Sequence, residues 1–131
     1  MGLSDETAHW MAVLGMDQHA WLIASCLSGA RLVTDASGIA HAADEERLPV
    51  LAPYRWLHAA DPLPHTWDVT SDSIAAWVAG ALDAARLVLV KPPGASGTDL
   101  VDPYFERARP PGLPVEVVPV DRLTAALLQP V

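Results

Sequence analysis

Apolar positions along the chain change period several times, and each change marks an expected element. From Ser4 to about Ser28, Met11, Leu14, Trp21 and Leu22, with small residues between them, follow helical spacing. Asp5 and Glu6 stand in the first turn, where carboxylates favour a helix N-terminus, so the stretch reads as one helix or as two divided at Gly15. A short strand is expected over residues 31–34, and Asp35-Ala36-Ser37-Gly38 reads as a turn into a second extended piece. Residues 50–58 mix β-branched, aromatic and leucine side chains between Pro49 and the pair Pro62 and Pro64. That mixture predicts a strand running into a rigid loop over residues 61–68.

The second half is more regular. Ile74, Trp77, Val78, Ala81 and Leu82 recur at i, i+3, i+4, i+7 and i+8, a helix that Thr70 or Ser71 can cap. Leu87-Val88-Leu89-Val90 is a continuous apolar run, as expected of a strand covered on both faces, and Lys91-Pro92-Pro93-Gly94 interrupts it. Residues 115–120 predict another strand, and Asp121 can cap a last helix carrying Leu123, Leu127 and Leu128. Helix and strand alternating in this way predict an α/β fold, a three-layer αβα sandwich around a mostly parallel sheet. Ligands of such sheets gather beyond the carboxyl ends of strands, which directs attention to the segments after His58 and after Val90.

Composition narrows the picture. With 131 residues and 13.9 kDa the chain suits a single domain with a core, and 51% apolar against 18% charged residues excludes a disordered tail. The formal net charge of −8 would repel a phosphate backbone, so nucleic acid is not an expected partner. A lone Cys26 in an apolar stretch forms no disulfide or paired metal spacing; it is expected to pack inside, in a reducing cytoplasm. The opening Met1-Gly2-Leu3-Ser4-Asp5-Glu6 is acidic where a secretory signal is basic, Glu6 stands where myristoylation wants Ser or Thr, and no apolar run is long enough to span a membrane. Asp44-Glu45-Glu46 reads as a solvated face.

Hydroxyls and carboxylates crowd into Leu63-Pro64-His65-Thr66-Trp67-Asp68-Val69-Thr70-Ser71-Asp72-Ser73-Ile74-Ala75-Ala76-Trp77. This stretch resembles the part of the amino acid kinase superfamily, which includes uridylate and acetylglutamate kinases, where a hydroxyl-rich loop leads into an Asp and an alanine-rich helix. Ala84-Ala85-Arg86-Leu87-Val88-Leu89-Val90-Lys91-Pro92-Pro93-Gly94 is similar to the strand and glycine loop that hold the nucleotide there, and Gly2-Leu3-Ser4-Asp5-Glu6-Thr7-Ala8-His9-Trp10-Met11-Ala12 resembles the middle of such a protein. The resemblance covers nearly the whole chain, is most specific at residues 67–76, and extends to the furan-phosphate kinases of methanofuran biosynthesis in one-carbon metabolism.

What the resemblance implies is the carboxy-terminal, nucleotide-side half of an ATP- and Mg²⁺-dependent small-molecule kinase, whose acceptor carries phosphate or carboxylate. Phosphoryl transfer needs charge neutralisation and in-line positioning more than covalent help. By the match, Asp72 is the organising carboxylate and Lys91 lies beside the nucleotide phosphates. Asp68, Thr70 and Ser71 face the acceptor, and Gly94, Ser96 and Gly97 let the backbone approach the phosphates. The chain departs from the family where the usual Asp-Gly turn is Pro93-Gly94 and the following tyrosine is Ala95 or Ser96. It also lacks the amino-terminal glycine loops, so a complementing amino-terminal subunit or a homo-oligomer is expected; the alternative is a non-catalytic subunit or ligand-binding module.

Each residue has a plainer reading. Asp72 in a first helical turn is favourable through the helix dipole alone, and Lys91 could be a surface residue at a strand end. His58, Asp61, His65 and Asp68 lie close in sequence but match no closed zinc spacing, so no metal site is assigned. His9 and His19 read as hydrogen-bonded core or interface histidines, and the five tryptophans as core or subunit contacts.

Overall fold

The structure is a computed structural model that describes residues 2–95 and 100–124. The chain divides into two compact units, Met1–Trp67 and Asp68–Val131.

In the first unit α1 spans Asp5–Cys26 without a break at Gly15. Ser4 caps it, its Oγ accepting from the Thr7 N–H at 3.1 Å. The strand β1 (Ala30–Val33) is followed by α2 (Ala36–Asp44) and then by β2 (Leu48–Leu51), which pairs parallel to β1 with Ala30 opposite Leu48 and Val33 opposite Leu51. This corrects the turn and extended piece expected after Asp35. An Asp ahead of a Gly serves equally as a helix cap, and the Asp35 carboxylate accepts from the Gly38 N–H at 2.7 Å to start the crossover helix.

The expected strand over residues 50–58 is also corrected, since β2 is finished at Leu51 and α3 runs Tyr54–Ala60. Pro49, taken as a boundary, lies within β2; a two-stranded sheet leaves β2 one free edge, where a missing N–H costs no ladder bond. The N-cap of α3, Pro53, has no capping side chain, and Asp17 on α1 fills that role by accepting from the Tyr54 N–H at 2.9 Å. The α1 helix packs on α3 and on both strands, α2 packs on both strands, and Val13, Ala20, Val33, Ala42, Ala52, Leu57 and Leu63 are buried.

In the second unit α4 (Ser71–Ala81) precedes β3 (Leu87–Lys91), α5 (Phe105–Ala108) and β4 (Val115–Pro119). The strands pair parallel, Leu87 opposite Val115 and Lys91 opposite Pro119. Ala76, Leu89 and Phe105 form the core, with Leu87, Val115 and Val117 packed around them. Val90 is exposed, so the coverage expected of both faces of β3 fails at that position. After β4 comes a 3-10 turn, Val120–Arg122, and the expected helix through Leu127 and Leu128 lies outside the described residues.

The chain is therefore mixed α/β, with strands in two separate two-stranded parallel pairs among the described residues. Cys26 is exposed at the end of α1 rather than packed inside, because the face it shares with Leu22 and Ile23 is turned to solvent. Trp21 and Trp67 are exposed as well. Glu45 pairs with Arg31 at the surface. Among the described residues no helix is long and apolar enough to cross a membrane.

Candidate functional site

The start of α4 is where the second unit concentrates polar side chains. Thr70 is the N-cap, its Oγ1 accepting from the Asp72 N–H at 3.4 Å, a long bond that leaves most of the first-turn donors to be satisfied from elsewhere. Asp102, buried just ahead of α5, takes up the Ser73 N–H among them and the N–H of the cap residue itself. Its Oδ2 accepts from the Thr70 N–H at 2.8 Å, from the Thr70 hydroxyl at 2.8 Å and from the Ser73 N–H at 3.1 Å. Its Oδ1 accepts from the Ser73 hydroxyl at 2.5 Å and from the Tyr104 N–H at 3.1 Å.

Burial pushes the Asp102 carboxyl up, but the hydroxyls of Ser73 and Thr70 and the amides of the same two residues outweigh it and hold the group below its ordinary range. An ionised carboxylate at a helix N-terminus also meets the positive end of the helix dipole.

Asp72 lies two residues after Thr70 and points to the end of β3. Its two oxygens accept from the Lys91 ammonium at 2.8 and 2.9 Å, and Oδ2 also accepts from the Asp102 N–H at 3.2 Å. Asp72 is buried, and the Lys91 side chain retains 20% exposure, so the pair stands at the edge of the core with the cation on its solvent side. Two charges this close and this far removed from water hold each other in place. Either one left alone would be an uncompensated, partly buried charge.

The chain leaves Lys91 through a tight turn. Ala95 N–H donates to the Pro92 carbonyl at 3.2 Å, Pro93 sits at the second position and Gly94 at the third with φ +77°, the pattern of a type II turn. Among the described residues no atom lies within 4 Å of where a Gly94 Cβ would be, so on that side its backbone is open to an approaching group. Between Lys91 and Asp102 the chain is thus pinned at both ends on the first turn of α4.

The residues singled out from sequence fall into three groups. Asp72 and Lys91 are brought together directly. Thr70 is beside them, but its amide and hydroxyl both serve Asp102; Ser71 and Asp68 are exposed, and the Asp68 carbonyl accepts from the Tyr104 N–H at 3.2 Å. Gly94 is at the turn, while Ser96 and Gly97 lie outside the described residues. Sequence reading missed Asp102 and Ser73. Asp102 is separated from the first turn of α4 by about thirty residues, and only the Asp-Pro step at residues 102–103 marks it, a signal shared by many surface turns.

Among the described residues no group of three or more His, Cys, Asp or Glu side chains is gathered to hold a metal ion. Mg²⁺ commonly takes one or two carboxylates and completes its shell with water and phosphate, and Asp68 is an exposed carboxylate near the start of α4. The arrangement can therefore present one positively charged donor and an open backbone turn to an anionic ligand. Comparison with family models, with curated proteins and with solved structures gives no match to this chain.

Proposed function

We propose that the second unit is the nucleotide-side part of an ATP-dependent small-molecule kinase of the amino acid kinase type. The observation that carries this reading is the Lys91–Asp72 pair. The single lysine of the chain emerges at the carboxyl end of a parallel strand, is aimed by a buried carboxylate in the first turn of α4, and is followed at once by an open glycine turn. Carboxyl ends of parallel strands are where α/β proteins bind phosphates.

In this reading Asp72 does not touch the transferring group. It keeps the ammonium oriented, and its own position is fixed by the Asp102 N–H. Lys91 neutralises charge on the phosphates, and the Gly94 backbone allows them close. When bound, Mg²⁺ supplies further neutralisation, with Asp68 the residue that would hold it. The acceptor is a small molecule bearing phosphate or carboxylate, and the glycine-rich phosphate loops that this sequence lacks come from a complementing amino-terminal half. A homo-oligomer or such a subunit is the partner this implies, acting in the cytoplasm.

One observation favours a second reading, a non-catalytic subunit or ligand-binding module. The Asp102 carboxylate already occupies the donors of Thr70 and Ser73, which leaves fewer groups to grip an acceptor. Calorimetric titration of Mg·ATP into the wild type, Lys91→Ala and Asp72→Asn tests the kinase reading. Binding in the wild type that weakens by about tenfold or more in both variants is expected, as for loss of a charge-assisted contact. Equal affinity in all three would remove Lys91 from the phosphates. Nucleotide binding without phosphoryl transfer, even with the complementing half supplied, would favour the second reading.

A further inference from the structure

The first unit holds a cluster of ionisable rings that the site above does not use. His9 on α1 stacks on His65, with ring centroids 4.4 Å apart and planes 21° from parallel. The Trp10 indole meets His9 at 4.7 Å, His65 at 5.2 Å and, on α3, His58 at 4.7 Å and Tyr54 at 5.9 Å, each edge to face. The segment bearing His65 leaves α3 at Asp61, which has the left-handed φ of 42° and whose carboxylate lies 2.7 Å from the His65 Nε2. Residues 61–65 are therefore laid on the first turns of α1 by the His9–His65 stack and the Trp10–His65 edge contact, while the Asp61–His65 contact lies within the segment and fixes its own shape.

We propose that the His9–His65 stack is a proton-operated clasp, which holds the segment after α3 against α1 at neutral pH and releases it as the rings become charged. Neutral imidazoles stack favourably. One proton on His65 is answered by Asp61, but a second on His9 places like charges face to face at the stacking distance in a half-buried site. The ionisable groups around His9 are His65 and Asp61 from the segment, with His58 and Tyr54 across the shared indole; Asp5 and Glu6 stand one turn earlier on α1.

Burial and then the nearby His65 lower the proton affinity of His9, and Asp61 opposes them without prevailing. A folded-state value below 6.5 means the stability from this contact is complete above 6.5 and is lost as pH falls through the lower, folded value.

The test is hydrogen exchange of residues 61–67 in the full chain, corrected for intrinsic rate, at about pH 7.5 and about pH 5.5. Protection at the higher pH that is lost at the lower one is expected in the wild type and should persist at both in His9→Phe, which keeps a ring and removes its proton. His65→Phe provides the same comparison should His9→Phe not fold by circular dichroism. Equal wild-type protection at both pH values, or release in the phenylalanine variants identical to the wild type, overturns the clasp.

Discussion

Asp102 shows how much one side chain can decide. Five donors converge on its carboxylate, and its own N–H helps to hold Asp72, so its removal unties the first turn of α4 from the chain that follows β3. Asp102→Ala is expected to lower stability in urea by about 2–3 kcal/mol, the range for losing charged hydrogen bonds at a helix cap. The same carboxyl makes that difference depend on acid. Held below 3.8 in the folded state, it contributes fully above that value, and its contribution drains away as pH falls through the folded value. The gap between wild type and Asp102→Asn in urea midpoint should therefore narrow on acidification, and a gap that widens would contradict the assignment. Asp72 could be singled out in the sequence because its place at a helix start is local. Asp102 could not, because its partners are set by the return of the chain.

At the scale of elements, local periodicity was informative where one helix face is buried and misleading where a proline or a small residue has two uses. The spacing from Ile74 to Leu82 matches α4 and the apolar run matches β3, whereas Asp35 and Pro49 read locally as turn and boundary but serve as cap and edge-strand residue. The capping of α3 by Asp17 joins residues 37 apart and leaves no local signature. Asp17→Ala should cost about 1 kcal/mol of stability, measured by thermal unfolding. A closer approach occurs at Gly80 on α4, where an added Cβ would lie 2.7 Å from the Pro110 Cγ. Alanine gains about 1 kcal/mol in helix propensity there, but moving a ring fixed before β4 costs about 1–3 kcal/mol, so Gly80→Ala is expected to melt lower. An unchanged or raised melting temperature would show that Pro110 yields freely.

For the molecule as a whole, each unit is built on one parallel strand pair with its own apolar contacts, and sixteen carboxylates outnumber eight basic residues, of which Lys91 is the one lysine. An anion is repelled by the net charge and is attracted where the cation is held ready. The α/β class could be read from the alternation of elements; the separation into two strand pairs could not, because pairing between strands distant in sequence is not encoded in their period. A single lysine also makes the central claim directly observable. In protein labelled with ¹³C and ¹⁵N at lysine, the side-chain signal of Lys91 reports on that one ammonium group. The account predicts that Mg·ATP moves this signal in the wild type and does so far less in Asp72→Asn; a lysine signal unmoved at saturating nucleotide, with the complementing half present, would contradict it.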